Sequence, residues 1–222
     1  MDIFKLLQSA EETIYEITTW FALLPKTFLQ VLFKPQWIQS YVTGEWAKEP
    51  PQQFKEFLSP ILFWVFVAVA PMFGILDSIP VLKGWAFTSK ISLAVITLIG
   101  MPVLYAAFLQ KTKGQAIESD SLKRLFYIQC LPCAILQCSL AVSSISVAPN
   151  FNFLQPLCGQ LNIISFVWFL IAETLIFKKE LNTQTARAII WATLALIACV
   201  LALCVVLLAM AFVGTIPTQS FT

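Results

Sequence analysis

Apolar residues along this chain gather in long blocks parted by short charged knots. The last block, Ala188 to Val213, runs for about 26 residues without a charge, where ~20 suffice to cross ~30 Å of hydrocarbon. In lipid such a segment must satisfy its own backbone polar groups, so a helix is expected. Four further blocks precede it. Phe57 to about Leu76 opens on Ser59-Pro60, which suits a helix start, and carries Pro71 and Gly74 near its far end, where a kink is expected. Ile91 to Leu109 has Gly100 and Pro102 at its centre, which predicts a bend. Leu125 to Val147 contains Pro132 and ends rich in serine, and residues 154–177 begin with the polar Gln155, Gln160 and Asn162. The pattern predicts an all-α, polytopic membrane bundle of five transmembrane helices, at about 57–76, 91–109, 125–147, 154–177 and 188–213. A short non-cytoplasmic tail, 214–222, closes it.

The first 56 residues read differently. Ile3, Leu7, Ala10, Ile14, Ile17, Phe21 and Leu24 recur at alternating spacings of four and three, the period of one helix face. Lys5, Glu11, Glu12 and Glu16 fill the other side, so this N-terminal amphipathic helix is expected to lie on the membrane surface or to pack on the bundle, not to cross. Pro25 is expected to break it. Thr27 to Phe33 then forms a second short amphipathic piece, closed by Lys34-Pro35. Trp37, Tyr41 and Trp46 are aromatics of the kind found at headgroup depth. Residues 1–56 are thus expected to form a cytoplasmic interfacial collar rather than a folded domain.

Basic residues orient the bundle. With the N-terminus inside, Lys5, Lys26, Lys34, Lys48, Lys55, Lys111, Lys113, Lys123, Arg124, Lys178, Lys179 and Arg187 all fall inside, and only Lys83 and Lys90 fall outside. The C-terminus is then outside. Composition agrees with an integral membrane protein: 59% hydrophobic and 12% charged residues, where soluble domains carry about 25% charged. The mean hydropathy is +0.81. The acidic residues Asp2, Glu11, Glu12 and Glu16 argue against a signal peptide at the N-terminus. A net charge of +2 suggests no nucleic-acid surface. The bilayer is the first expected partner, and a second copy or another membrane protein the next.

Histidine is absent, which removes the commonest general base and the commonest metal ligand. No catalytic set, cofactor site or metal site is expected. Cys130-Leu-Pro-Cys133 puts two thiols on one side of a helix, but no second pair in an outside loop completes a redox relay, and Cys158 stands alone. The bland reading, small apolar thiols in apolar runs, is the better one. Glu173 is the one acid well within a span, and such a carboxylate either pairs structurally or marks a path. Gln129, Gln137, Gln160 and Asn162 must also find partners in lipid, as glue between helices or as a polar path. On the fifth span Ala188, Ala192, Ala195, Cys199, Ala202 and Ala209 form a stripe of small residues suited to close helix packing.

The layout resembles the Yip-domain family of five-span membrane proteins. The matching stretches are Leu32-Phe-Lys-Pro-Gln-Trp-Ile38 leading in, Phe57-Leu-Ser-Pro60 at the first span, Gln129 to Pro132 in the third, and Ile164-Ser-Phe-Val-Trp-Phe-Leu-Ile-Ala-Glu173 followed by the turn Leu181 to Arg187 and the long last helix. Together they cover about residues 30–213. The family's glycine after the tryptophan helix is replaced near Ala172-Glu173, and residues 1–24 are unlike the disordered tail of eukaryotic members. The lead-in stretch looks more like bacterial members, which implies a bacterial inner membrane. The resemblance implies a non-enzymatic protein that binds partners or organises membranes. The small GTPases bound by eukaryotic members are not carried over. The alternative is a permease or lipid-moving transporter using a polar path near Glu173.

Overall fold

The computed structural model describes residues 3–75, 87–114, 118–146 and 155–214. Among them only helices and turns occur. Helix α1 is Ile3–Phe33, α2 Trp37–Trp46, α3 Pro60–Trp64, α4 Ala70–Ile75, α5 Phe87–Thr112, α6 Ser119–Ser146, α7 Gln155–Glu180 and α8 Thr185–Gly214. A 3₁₀ turn, Pro50–Gln52, follows α2, and a π-helical stretch, Val65–Val69, joins α3 to α4. Asp77, Lys83, the 149–153 loop and the tail beyond Gly214 lie outside the described residues.

Four segments are long and apolar enough to cross a membrane: Ala94–Thr112, Ser119–Ser143, Gln155–Glu180 and Thr185–Val206. The block expected to span first is described as far as Ile75: the apolar helical run Pro60–Met72 continues through α4, and the residues beyond it lie outside the described ones. Ser59 caps it, its Oγ accepting from Leu62 N at 3.3 Å, and Pro60 takes the first turn, where a missing N–H costs nothing. The π-helical turns come just before Pro71. Opening the helix there accommodates a proline ring that would otherwise meet the carbonyl four residues back.

Helix α6 sits at the centre and packs against α5, α7, α3, α4 and α2. Its Leu125, Ile128, Leu131 and Ala134 are fully buried. Helix α8 lies against α7 and α5. It turns Ala188, Ala192, Ala195 and Cys199 inward, while Ile190, Leu201, Val205 and Leu208 are exposed, as a lipid-facing helix requires. Ala202 is half-buried and Ala209 exposed, so within the chain the small-residue stripe is buried over its first four members.

Two expectations about the N-terminal region change. Pro25 does not break the helix: α1 continues through it to Phe33. The roughly 3 kcal/mol that an interior proline costs is offset by tertiary ties just beyond it. Thr27 Oγ1 donates to Leu23 O at 2.9 Å and accepts from Leu58 N at 2.9 Å, Val31 is fully buried, and Trp168 Nε1 donates to Leu32 O at 2.7 Å. The second change is that this region shares the core of the bundle. Val31, Ile38 and Val42 belong to the same buried cluster as Leu131 and Phe177. Helix α1 runs antiparallel along α3, with Phe28 on Phe63 at 6.3 Å and Phe21 on Phe66 at 5.5 Å between ring centres. Of the two placements left open, packing on protein holds for this half of α1. Ile14 and Phe21 of the expected stripe remain more than half exposed, so the chain itself does not cover the stripe at those positions.

Aromatic packing and Glu45 fix the collar. Trp37 stacks on Tyr41 at 4.2 Å, and the Tyr41 hydroxyl donates to Phe57 O at 3.2 Å. Burial first, then the charges of Glu45 and Glu56, push the Tyr41 phenol far above its usual range, so it stays a donor. Glu45 accepts from Lys48 Nζ at 2.5 Å and from Phe54 N at 2.5 Å, which holds Phe54 in the left-handed region at φ 57°.

Candidate functional site

The buried polar side chains form three tiers along the bundle. At the basic end the side chain of Glu180, the last residue of α7, is 3% exposed. The Arg124 guanidinium of α6 donates to both its oxygens at 2.8 Å, a bidentate pair. Lys113 Nζ, just past α5, donates to Oε2, and Gln39 Nε2 of α2 donates to Oε1 at 2.6 Å. Arg124 also reaches Thr43 Oγ1 at 3.1 Å. One carboxylate therefore joins four segments. Its position is costly for α7 alone, because a negative charge at a helix C-terminus opposes the helix dipole. The two cations offset that cost. Asn182, left-handed at φ 46°, then reverses the chain, with Thr183 N donating back to Lys178 O at 3.1 Å.

The second tier lies two turns, about 10 Å, deeper. Glu173 is completely buried and accepts from Gln129 Nε2 at 3.1 Å. Its other oxygen, Gln129 Oε1 and the Tyr105 hydroxyl are buried without a hydrogen-bond partner. Cys130 and Cys133 are also fully buried in α6. All six cysteines are free thiols. Among the described residues no cluster of ligands suits a metal ion.

The third tier is about 12 Å beyond the second along α6. Gln137 Oε1 accepts from Trp64 Nε1 at 2.7 Å, and its Nε2 donates to Leu98 O at 3.0 Å. This one amide ties α3, α6 and α5.

The structure therefore joins Glu173 to Gln129 and gives Gln137 separate partners. It leaves Gln160 and Asn162 apart from both. On an α-helix eleven residues bring a side chain back to within 20° of its starting direction, and thirteen put it nearly opposite. Asn162 accordingly faces inward with Glu173 and keeps a buried, unpartnered Oδ1, while Gln160 is exposed. Glu180, Lys113, Arg124 and Gln39 went unrecognised in the sequence. The signal was present: Glu180 follows Glu173 by seven residues, two turns along the same face.

Two cavities open at the basic end. One, of about 350 Å³, lies between the α1–α2 corner and the α7–α8 turn. The other, of about 450 Å³, is lined by Lys113, Glu180, Arg187 and Trp191. Neither is lined by Glu173.

A central helix wrapped by apolar, outward-facing partners, with its polar groups turned inward, defines an integral multi-pass membrane protein. Compared with protein-family models, with curated proteins and with solved structures, the chain matches none.

Proposed function

We propose that the chain is a non-catalytic scaffold of the Yip-domain type, which holds other membrane proteins or further copies of itself and organises the surrounding bilayer. In this reading it has five spans, with the basic end and N-terminus cytoplasmic and the C-terminus outside, in a bacterial inner membrane. The observation that carries it is the use made of buried charge. Glu180, with Lys113, Arg124 and Gln39, joins four segments at the basic end, and the cavities that open there are not lined by Glu173. Gln137 is likewise committed to Trp64 and Leu98. Such ties fix a shape and leave an apolar exterior for lipid and partners.

A second reading, a permease or lipid-moving protein, is favoured by the unpartnered oxygens of Glu173, Gln129 and Tyr105 at one level of the bundle. Purified chain in proteoliposomes separates the two. The scaffold predicts no lipid flip-flop and no proton flux above protein-free vesicles, together with a defined oligomer or complex in mild detergent. Flux or flip-flop that disappears in a folded Glu173→Gln variant would overturn the scaffold and establish the transporter.

A further inference from the structure

The smaller cavity at the basic end brings together two lysines outside the Glu180 ion-pair network and the one oxygen of Gln39 that the network leaves unpaired. Lys178 and Lys179, at the end of α7, stand on its rim, and neither has an ion pair among the described residues. Lys179 Nζ donates to Ser40 Oγ at 2.9 Å, which draws it towards the collar. Gln39 lines the cavity from α2 and is 8% exposed. Its Nε2 must face Glu180, so its Oε1 is left as a buried acceptor without a donor. Leu175 and Ile176 form the apolar floor, one turn deeper than the lysines. Below that floor α7 continues as an exposed apolar rail through Ile171, Val167 and Ile164, about 16 Å from Leu175 to Ile164.

The order along this path is cation, acceptor, apolar floor, apolar rail. It matches an amphiphile with a phosphate, a hydrogen-bond donor on its head and an acyl tail. We propose that the cleft between the collar and the α7–α8 turn binds one anionic phospholipid, with its phosphate on Lys178 and Lys179, a head hydroxyl donated to Gln39 Oε1, and an acyl chain along Leu175 and Ile171. A zwitterionic choline head carries no donor for Gln39 and no net charge for the lysines. A free glycerol phosphate shares the head chemistry but leaves the rail unused.

The test uses the full purified chain and titrates it with phosphatidylglycerol, phosphatidylcholine and soluble glycerol 3-phosphate, read by native mass spectrometry of lipid adducts. Phosphatidylglycerol is expected to bind in preference to phosphatidylcholine, with one lipid retained most tightly. Lys178→Gln breaks no ion pair among the described residues and is expected to weaken that lipid about fivefold, and the Lys178→Gln, Lys179→Gln pair about 25-fold, at the usual worth of one basic residue near anionic lipid. Lys111→Gln with Lys123→Gln removes the same charge at the same end outside the cleft and is expected to change binding less than twofold. Equal losses in the two double variants would reduce the effect to surface potential. Equal binding of the two lipids, or glycerol 3-phosphate competing as well as the lipid, would also overturn the proposal. Should the double variant misfold, Lys178→Gln alone decides the matter.

Discussion

Replacing Glu180 with leucine tests whether buried charge holds this bundle together. The substitution removes the acceptor of four donors and leaves Lys113 and Arg124 facing each other without an anion. Breaking a buried pair from one side costs about 3–5 kcal/mol, because the remaining charge stays desolvated. Lys113 and Arg124 are 16% and 21% exposed, so both can recover part of their hydration, and the lower figure, about 3 kcal/mol, is expected. Glu180→Gln keeps hydrogen-bonding capacity but not charge, and should cost about 1–2 kcal/mol, the difference between charged and neutral hydrogen bonds. The triple variant Lys113→Met, Arg124→Leu, Glu180→Leu removes the cost of isolated cations and should recover most of the loss. Unfolding in mixed micelles of rising SDS fraction, followed by tryptophan fluorescence, gives the order: wild type, then Glu180→Gln, then Glu180→Leu, with the triple variant above the last. A Glu180→Leu protein within ~0.5 kcal/mol of wild type, near the scatter of surface substitutions, would refute the reasoning. So would a triple variant no better than Glu180→Leu.

Four further outcomes are expected. Glu173→Gln should fold and work like wild type, while Glu173→Leu strips Gln129 Nε2 of its acceptor and should cost about 1–3 kcal/mol in the same unfolding assay. Trp64→Phe leaves Gln137 Oε1 without its donor and should cost a similar ~1–3 kcal/mol, with Gln137→Leu on that background recovering part of it. After denaturation without reductant, maleimide should add to all six cysteines, and a Cys130→Ala, Cys133→Ala protein should insert and fold; a native disulfide would revive a redox role. Protease added to sealed inside-out vesicles should cut near Lys48–Lys55, and protection there with cleavage at 149–153 would reverse the orientation.

Much of the architecture was legible because lipid imposes it. An uncharged run such as Ala188 to Val213 has few alternatives to a spanning helix. Glu173 was equally visible, as a charge among apolar residues. Glu180 was not, because a carboxylate beside Lys178 and Lys179 reads as part of a solvated turn; its burial depends on Lys113 and Arg124, which are distant in sequence. Pro25 misled for a related reason. Its local cost is real, yet Thr27 and Trp168 supply ties that no local pattern contains. Gln160 and Asn162 looked equivalent until their directions on α7 were distinguished. The block 57–76 shows the limit of counting: its composition does not reveal that the turns widen at Val65–Val69.

The hydrogen bonds to the two buried carboxylates also impose a direction in time. Gln39, Lys113 and Arg124 all precede Glu180 in the chain, and Gln129 precedes Glu173. A chain made from its N-terminus has therefore already placed every donor before either acid leaves the ribosome. Neither α7 carboxylate has to wait in the bilayer for a partner still to be synthesised. Moving α7 and α8 ahead of α5 and α6, with every native contact still available to the finished chain, would reverse that order and expose both acids to lipid during insertion.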